Sequence, residues 1–331
     1  MKTYLFSLIL LLFTSTAMAQ NKVVVVPLIS NNNAVPIENI VTVGLDNADF
    51  TSPAAAINSI TDATALEPYL VFIGPGTYTL GQNQLIVKPN VHLVGSGIGA
   101  TILEGGFGST SVSSSAVVRL NGSAGNRSVL RDLTINQFGS AIAISSGVYT
   151  EGFSTIDNVE INVRSNGISN FGVFSETATL EISNSAINIQ NADFQNVGIR
   201  AIDGTHNYNN LEIDVAGSIF TAAIQTDDAE IALDRVNATS RSATNTNALW
   251  GLFIRDSSVD VNFSQFDVEN NSPGSLTSFG GCFTSGSGGV VYYSTLEEGC
   301  TVDPLNNGLL LCAFAKGSFL TELEAANCLN P

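Results

Sequence analysis

The sequence is short of charge, above all of positive charge. Only 12% of its 331 residues are charged, with 12 Lys and Arg against 29 Asp and Glu, which gives a formal net charge of −17. Globular domains average about 25% charged residues. Nucleic-acid phosphates and anionic membranes attract cationic surfaces, so we exclude nucleic acid and membrane insertion as partners. The 44% of hydrophobic residues is enough for a sizeable core, which excludes disorder as the main state.

Long hydrophobic runs are also scarce. Residues 1–19 have the features of a secretory signal peptide: Lys2 near the start, an apolar stretch over 5–13, and small residues at 17–19 for cleavage. That stretch is shorter than the ~20 apolar residues of a membrane span. We therefore expect an exported protein, extracellular, on the cell surface or in the periplasm, in which 20–40 forms a lead-in segment.

Cysteine does not occur before the C-terminal segment 282–331, where all four are found: Cys282, Cys300, Cys312 and Cys328. Clustered cysteines in an exported chain favour disulfides, and three connectivities are open. We favour the sequential pairing, because each bridge would close a loop of ~16–18 residues and contribute roughly 3 kcal/mol. Zinc is the alternative, but no C-x-x-C pair and no nearby histidine support it. The segment 282–331 is thus predicted to be a cross-linked C-terminal cap.

A helical 3.6-residue pattern is absent from the long middle region, which instead repeats a short apolar-polar-apolar triplet. The steps between the first residues of successive triplets are 26, 28, 24, 25, 30 and 30, for triplets that start at Leu133, Val159, Ile187, Leu211, Val236, Phe266 and Leu296. Short strands joined by Asn, Gly and Ser turns at such a period predict an all-β solenoid. About nine coils with strands paired in parallel at ~4.8 Å would make a rod roughly 40–45 Å long.

A solenoid exposes a sheet edge at each end, and an exposed edge recruits other chains unless it is covered. Ser52 and Pro53 are a favourable start for a helix, and Ile57 and Ile60 lie on one face of it. We predict a capping helix near 52–62 at the start of a β-helix that spans 41–281.

The region 41–105 resembles the opening of pectin methylesterases and, more broadly, of the pectin-lyase-like superfamily of right-handed parallel β-helices. The order and spacing of four segments carry the resemblance: 42–51, 69–78, 88–97 and 101–105. This implies a single-stranded right-handed parallel β-helix. The glycines at 95, 97 and 99 fit a bend in the coil better than a phosphate-binding loop, because no helical pattern follows them.

The catalytic motifs of these families are not found. The esterases use two Asp, an Arg and Gln residues, but here Asp193-Phe194 is followed by Gln195-Asn196, and no Arg-Pro precedes Trp250. Of the polygalacturonase motifs, only Asp227-Asp228 has a counterpart, and the turn around His206 is a poor substitute for the histidine segment. The resemblance therefore implies the fold. Because the catalytic motifs are missing, the sequence favours a protein without enzymatic activity but does not decide the question.

Carboxylates recur after the second short strand of each coil, and they align as one column: Glu176, Asp203, Asp227 with Asp228, and Asp256. Like charges ~4.8 Å apart repel by about 1 kcal/mol even in water, so the arrangement is costly unless a cation is bound there or the side chains splay apart. Calcium suits exported oxygen sites and is the candidate cation. The alternative is that Asp and Glu simply follow strands because turns favour them. If the protein is a calcium-dependent lyase, Arg200 and Arg255 beside the column are the candidate bases.

Aromatic side chains on the same segments are candidate sugar-stacking residues: Tyr149, Phe171, Trp250 and Phe253. His92, on a strand, and His206, in a turn, are expected to be ordinary surface histidines. The sequence favours a non-catalytic module that binds an extracellular polysaccharide or another glycan. The alternatives are a divergent polyuronate lyase or pectinesterase-like hydrolase, and a structural or adhesive protein.

Overall fold

The computed structural model describes residues 37–139, 143–242 and 248–269, and the backbone of four further strands between 277 and 313. All of them belong to one compact unit, Val35–Pro331. The predicted signal peptide, Cys300 and Cys328 lie outside the described residues, as do the side chains of Cys282 and Cys312. The disulfide pairing therefore stays a prediction. The described helices include none long and apolar enough to span a membrane.

The described chain is almost entirely β-structure, with one short α-helix, α1 (Pro53–Ser59), and one 3-10 turn, Val112–Ser114. The short strands of the first coils are β1 (Asn39–Val43), β2 (Tyr69–Ile73), β3 (Gly76–Gly81), β4 (Leu85–Val87), β5 (Val91–Val94), β6 (Thr101–Gly105), β7 (Ala116–Asn121) and β8 (Ser128–Gln137). Four long strands follow, each bending through a whole coil: β9 (Ile144–Arg164), β10 (Ser169–Gln190), β11 (Gln195–Ala216) and β12 (Phe220–Arg241). The last strands are β13 (Ala248–Arg255), β14 (Ser258–Asn262), β15 (Gln265–Glu269), β16 (Thr277–Thr284), β17 (Gly288–Tyr292), β18 (Thr295–Leu296) and β19 (Leu310–Ala313).

Successive coils pair in parallel along three sheets that enclose the interior. Sheet A runs from β1 through β2, β5 and β8, the middle of each long strand, β14 and β17 to β19. Sheet B runs from β3 and β6 through the ends of β8 to β12 to β15 and β18. Sheet C runs from β4 and β7 through the beginnings of β9 to β12 to β13 and β16. The predicted parallel β-solenoid is confirmed.

The interior consists of stacked columns, because each inward side chain lies on its equivalent in the next coil. One column on sheet A is buried to within 1% exposure along its length: Leu130, Ile156, Ile182, Tyr208, Leu233 and Val261. Each such side chain removed from water contributes roughly 1.5–3 kcal/mol, so the stack stabilises the coils along the rod.

The repeat is more regular than the sequence pattern suggested. Leu133, Val159, Leu211 and Val236 share one row. Ile187, Phe266 and Leu296 lie two residues later in their coils, so those three triplets were aligned wrongly. Two serines occupy the row instead. Ser185 Oγ accepts from Val159 N at 3.1 Å, and Ser264 Oγ accepts from Val236 N at 3.0 Å. A serine that bonds the backbone of the preceding coil can replace an apolar residue here, which hides the repeat from a hydrophobicity pattern.

The turn between sheets A and B places one residue per coil in the left-handed region of φ. These residues are Asp132, Asn158, Asn184, Asn210, Arg235 and Phe263, with φ between 48° and 57°. Asn158 Nδ2 donates to Asp132 Oδ1 at 2.7 Å, and Asn210 Nδ2 donates to Asn184 Oδ1 at 2.9 Å. Asparagine accepts this backbone conformation at low cost, and here its side chain also links neighbouring coils.

Helix α1 lies next to the first coils. Ser52 Oγ accepts from Ala55 N at 3.4 Å at the start of the helix, and Pro53 occupies its first turn. Ala56 and Ile57 are buried, and the helix contacts β1, β2 and β4. The sequence located a helix within 52–62 for the same reasons that form it, a favourable N-cap and an apolar face.

Candidate functional site

The outer face of sheet C differs from the rest of the described surface. Its side chains form a cluster separate from the interior core. Three outward rows run along it in successive coils. Row 1 is Ala116, Ser146, Phe171, Val197, Ala222 and Trp250; row 2 is Arg119, Tyr149, Phe174, Arg200, Gln225 and Phe253; row 3 is Asn121, Glu151, Glu176, Ile202, Asp227 and Arg255. The register thus gathers on one face residues that are 25 to 30 positions apart in sequence from one coil to the next.

A glycine between rows 1 and 2 lets sheet C come close to the interior. A Cβ at Gly198 would lie 2.5 Å from Ala223 O and 2.6 Å from Ile213 Cγ2. A larger residue would therefore have to move the strand. The positions of the outward side chains on either side depend on this close approach.

Aromatic residues form two groups on this face. In the first, Phe171 and Phe174 meet edge to face with ring centroids 5.0 Å apart, and Tyr149 stacks on Phe174 at 6.1 Å. In the second, the Trp250 ring lies 4.3 Å from that of Phe220 and 4.7 Å from that of Phe253. We call the two groups together the aromatic patch. Three coil steps separate Phe171 from Trp250 in row 1, about 14 Å at the usual strand spacing.

The two groups differ in exposure. Tyr149, Phe171 and Phe174 are buried, at 1%, 5% and 6% exposure, because Val112 and neighbouring side chains cover them. Phe220, Trp250 and Phe253 are only half-buried. The Trp250 group is therefore the more accessible part of the patch.

Between the two groups, Asp227 forms ion pairs with Arg200 and Arg255. The Asp227 and Arg200 side chains are 7% and 13% exposed, whereas that of Arg255 is 50% exposed. Burial lowers the pKa of the Arg200 guanidinium, and the Asp227 carboxylate opposes that shift. The two guanidiniums neutralise this carboxylate, and Asp228 and Asp256 lie at the turns that directly follow Asp227 and Arg255.

Two buried N–H groups on the outer face of sheet C have no hydrogen-bond partner among the described residues. They are Arg200 Nη1 and Trp250 Nε1. Beside them, Gln195 Nε2 donates to Gln225 Oε1 at 3.2 Å. Buried donors are nearly always satisfied, so these two groups set this face apart.

Tyr149 anchors the first aromatic group through carboxylates. Its hydroxyl lies 2.6 Å from Glu151 Oε1 and 2.5 Å from Glu176 Oε2, and Arg119 Nη2 lies 3.0 Å from Glu151 Oε2. The Arg119 guanidinium also lies over the Tyr149 ring, 5.4 Å from its centroid. Burial, with the two carboxylates, raises the pKa of the Tyr149 hydroxyl, so it stays protonated at neutral pH. These contacts hold the ring in place.

The predicted acidic column separates into two rows. Glu176 and Asp227 lie in row 3, with Ile202 between them. Asp203, Asp228 and Asp256 lie one position later, at left-handed turn positions with φ of 58°, 53° and 47°, and their side chains are exposed. In the described part of the chain, no three His, Cys, Asp or Glu side chains converge into a possible metal site. Calcium binding at these turns stays a prediction, and the turn geometry alone is a sufficient reason for aspartate there.

The expectation for His206 was wrong. It lies within β11, points into the interior and is 0% exposed, with Nε2 2.9 Å from Asp203 O. The strand resumes directly after the corner at Gly204, which the sequence suggested was a longer turn. Burial lowers the pKa of His206. His92 does lie on a strand, β5, but it is half-buried, and burial together with Arg131 lowers its pKa to about 4.

One face holds seven residues that the sequence named as candidates: Tyr149, Trp250, Phe253, Arg200, Arg255, Glu176 and Asp227. Their binding roles stay predictions, and Tyr149 is only 1% exposed. Sequence reasoning missed the other members: Arg119, Glu151, Phe174, Gln195, Phe220 and Gln225. An alignment of the coils by residue position would have identified them, because each lies in the same row or on the same strand as a residue that the sequence analysis named.

The solved structures that are similar to this fold include a pectate lyase and a pectin methylesterase. Pectate lyase Pel9A matches with a TM-score of 0.52 and 12% identity, over 87% of this chain and 79% of that chain. Pectin methylesterase PemA from Erwinia chrysanthemi matches with a TM-score of 0.50 and 10% identity, over 89% of this chain and 94% of that chain. No protein-family model and no curated protein matches the sequence. The similarity establishes a pectin-lyase-like right-handed parallel β-helix fold.

Proposed function

We propose that this protein is an exported, non-catalytic module that binds a glycan on the outer face of sheet C. The observation that carries the proposal is the half-buried Trp250 group beside the Asp227 ion pairs and two unpartnered N–H donors. Sugar rings stack their apolar faces on aromatic side chains, and their hydroxyl and carbonyl oxygens accept hydrogen bonds from fixed donors. Aromatic rings and such donors both lie on the outer face of sheet C.

The names of the similar structures, a pectate lyase and a pectin methylesterase, make pectic glycans the first ligands to test. The net charge of −17 opposes the approach of a polyanion. We therefore expect methyl-esterified pectin, which carries little charge, to bind better than polygalacturonate. We further propose that α1 covers the open edge of the first coils and that the Cys-containing segment does so at the other end.

The proposal is tested by isothermal titration calorimetry, which measures the affinity of the protein for esterified pectin, polygalacturonate and alginate. Trp250→Ala is expected to lower the affinity for esterified pectin at least 10-fold, since central tryptophans typically contribute 2 kcal/mol or more. Phe263→Ala is the matched control, because Phe263 is 60% exposed at the corner between sheets A and B. If the Trp250→Ala and Phe263→Ala variants bind esterified pectin with equal affinity, the binding site is not on sheet C.

A hydrolase that acts on esters is the second candidate. It is favoured by the convergence of one Asp, two Arg and two Gln on the same face, the residue types that the esterases use. Asp227 would attack the ester carbonyl carbon, and nearby amide and guanidinium N–H groups would stabilise the oxyanion that forms. Its collapse would break the ester C–O bond, the leaving alkoxide would take a proton from water, and a second water would hydrolyse the resulting anhydride and regenerate the carboxylate. The low exposure of Asp227 and its two ion pairs oppose that role. Methanol release from esterified pectin, abolished by Asp227→Asn, would establish it.

A lyase is less well supported by the geometry. Arg200 and Arg255, the candidate bases, both donate to Asp227. A base must instead present a free lone pair to the proton that it removes. Absorbance of unsaturated products during incubation with polygalacturonate is the direct test, and we expect none. A purely structural or adhesive role would leave all three glycans unbound.

The structure also has a cavity away from sheet C, but its lining is a weaker candidate for a glycan site. It has a volume of about 550 Å³ and lies between α1 and the strands β3 and β4. Its lining includes Thr51, Tyr78, Asn83 and Gln84 and contains no charged residue. Nothing there combines aromatic stacking surfaces with charged or unpartnered polar groups.

A further inference from the structure

Apolar side chains are exposed along one corner of the solenoid, where the chain passes from sheet B to sheet C. Ile168, Phe194 and Ile219 occupy equivalent positions there in three successive coils. Ile168 and Phe194 are 51% and 52% exposed, and Ile219 is half-buried. We call these three side chains the corner row. Contiguous exposed apolar surface on a soluble protein usually marks an interaction site.

The backbone fixes the corner row in place. Phe194 N donates to Ile168 O at 3.0 Å, Phe220 N donates to Phe194 O at 2.9 Å, and Ala248 N donates to Ile219 O at 3.2 Å. These bonds continue the parallel pairing of sheet C around the corner. The three side chains therefore stand at the coil spacing of ~4.8 Å and span about 10 Å along the rod.

The corner row is continuous with the aromatic patch. Phe220 directly follows Ile219, and its ring lies 4.3 Å from that of Trp250. Ile144 and Phe220, which begin the sheet C strands beside this corner, pack against the same exterior cluster. A chain molecule bound at Trp250 therefore meets Phe220 and then the corner row without crossing a polar gap.

Charge near the corner row decides which occupant fits. Its neighbours Gly167, Ser169, Gln195 and Ser218 are uncharged, and Asp193 is the exception. No cationic side chain adjoins the row in the described sequence positions 165–169, 191–195 and 217–220. An anionic stretch of polymer gains nothing here, whereas the apolar faces of uncharged sugar rings can stack on Phe194.

From these observations we propose that the corner row is a second docking surface for the same glycan, which extends from the Trp250 group around the corner onto Phe194. This inference rests on the proposed glycan-binding function and deepens it. The ligand would be a polymer with uncharged, esterified sugars, long enough to occupy both surfaces. A short oligosaccharide would occupy only the Trp250 group.

Titration with two probes, a methyl-esterified galacturonan trimer and a methyl-esterified dodecamer, tests the inference. Phe194→Ala is expected to lower the affinity for the dodecamer about 5-fold, the size of one lost aromatic contact, and to leave the trimer unchanged. Phe263→Ala should alter neither. Because Phe194 is half exposed, the substitution leaves the core intact, and an unchanged circular dichroism spectrum with an unchanged melting temperature verifies this.

The outcomes separate the two proposals. If Trp250→Ala lowers the affinity for both probes but Phe194→Ala lowers the affinity for neither, the corner row is not a glycan-binding surface, whereas the Trp250 site is supported. If sedimentation velocity shows that Phe194→Ala dissociates a dimer while the dodecamer affinity is unchanged, the row is covered by a second copy of the chain and the inference is wrong. If the unmodified protein binds neither probe, both proposals fail.

Discussion

The outer faces of sheets B and C have the same parallel backbone but use their polar side chains differently. On sheet B, Asn162 donates to Asn136 Oδ1 at 3.1 Å and accepts from Asn188 Nδ2 at 2.9 Å, so the row satisfies its own hydrogen bonds. On sheet C, the equivalent surface carries an aromatic patch, a buried carboxylate with two arginines, and donors without partners. The proposal of a ligand site on sheet C rests on this difference.

Removing the carboxylate is the strongest test of this contrast. Asp227→Ala leaves Arg200 without its counter-charge at 13% exposure, and we expect a loss of about 2–4 kcal/mol in the free energy of unfolding by urea. On sheet B, Asp214 pairs with Arg241, but both side chains are well exposed, at 42% and 37%. Asp214→Ala should therefore cost no more than about 1 kcal/mol. Equal losses would mean that the two faces do not differ in their electrostatics.

His92, on the outer face of sheet A, makes the stability of the protein depend on pH. The pKa of His92 is about 4 in the folded protein, against about 6.5 in an unfolded chain, so the unfolded chain binds the proton first as the pH falls. Stability is therefore lost between pH 6.5 and 4, by about 2–3 kcal/mol from this residue. His92→Gln should flatten that part of the profile when urea unfolding is measured across the range. An unchanged slope would show that the imidazole is protonated as easily in the folded protein.

A smaller effect is expected from the asparagine row on sheet B. Asn162→Ala removes two hydrogen bonds between coils and should lower the free energy of unfolding by about 1 kcal/mol. Asn207, exposed on sheet A, is the matched control, and Asn207→Ala should change it by less than about 0.5 kcal/mol. Neither substitution should change glycan affinity. A weakened affinity in Asn162→Ala alone would place part of the site on sheet B.

The smallest effect is expected from removal of calcium. Asp203, Asp228 and Asp256 are exposed turn residues in successive coils, and their turn geometry accounts for them without a metal. A chelator should therefore leave the melting temperature unchanged within about 1 °C, which scanning calorimetry can measure. A clear decrease, reversed by added calcium and absent from Asp228→Asn, would establish the calcium site that the sequence suggested.

The sequence was most informative where one residue type has one physical role. Asparagine at left-handed turns, Ser52 before α1, and the columns of Ile, Leu and Val each followed from local preferences. The triplets at Ile187 and Phe266 were misplaced because Ser185 and Ser264 take an apolar position and bond the neighbouring backbone. Hydrophobicity patterns do not detect such a substitution.

The candidate site was only partly predictable for the same reason. Trp250, Arg200 and Asp227 were named from their neighbours in sequence, but their association depends on the register between coils. Gln225 and Phe220 have no local feature that distinguishes them. His206 was misassigned because a polar residue after Gly204 favours a turn, whereas the strand there resumes at once.

The number of coils between the two aromatic groups fixes their separation. Thr177 and Asp203 are equivalent turn positions, so excision of residues 177–202 would join Glu176 to Asp203 and remove one whole coil with the register preserved. Phe171 would then stand two steps from Trp250 rather than three. Gain or loss of a whole coil therefore changes the distance between the two aromatic groups by one strand spacing and leaves every other turn unchanged. The length of the proposed ligand that spans the face would change by the same step.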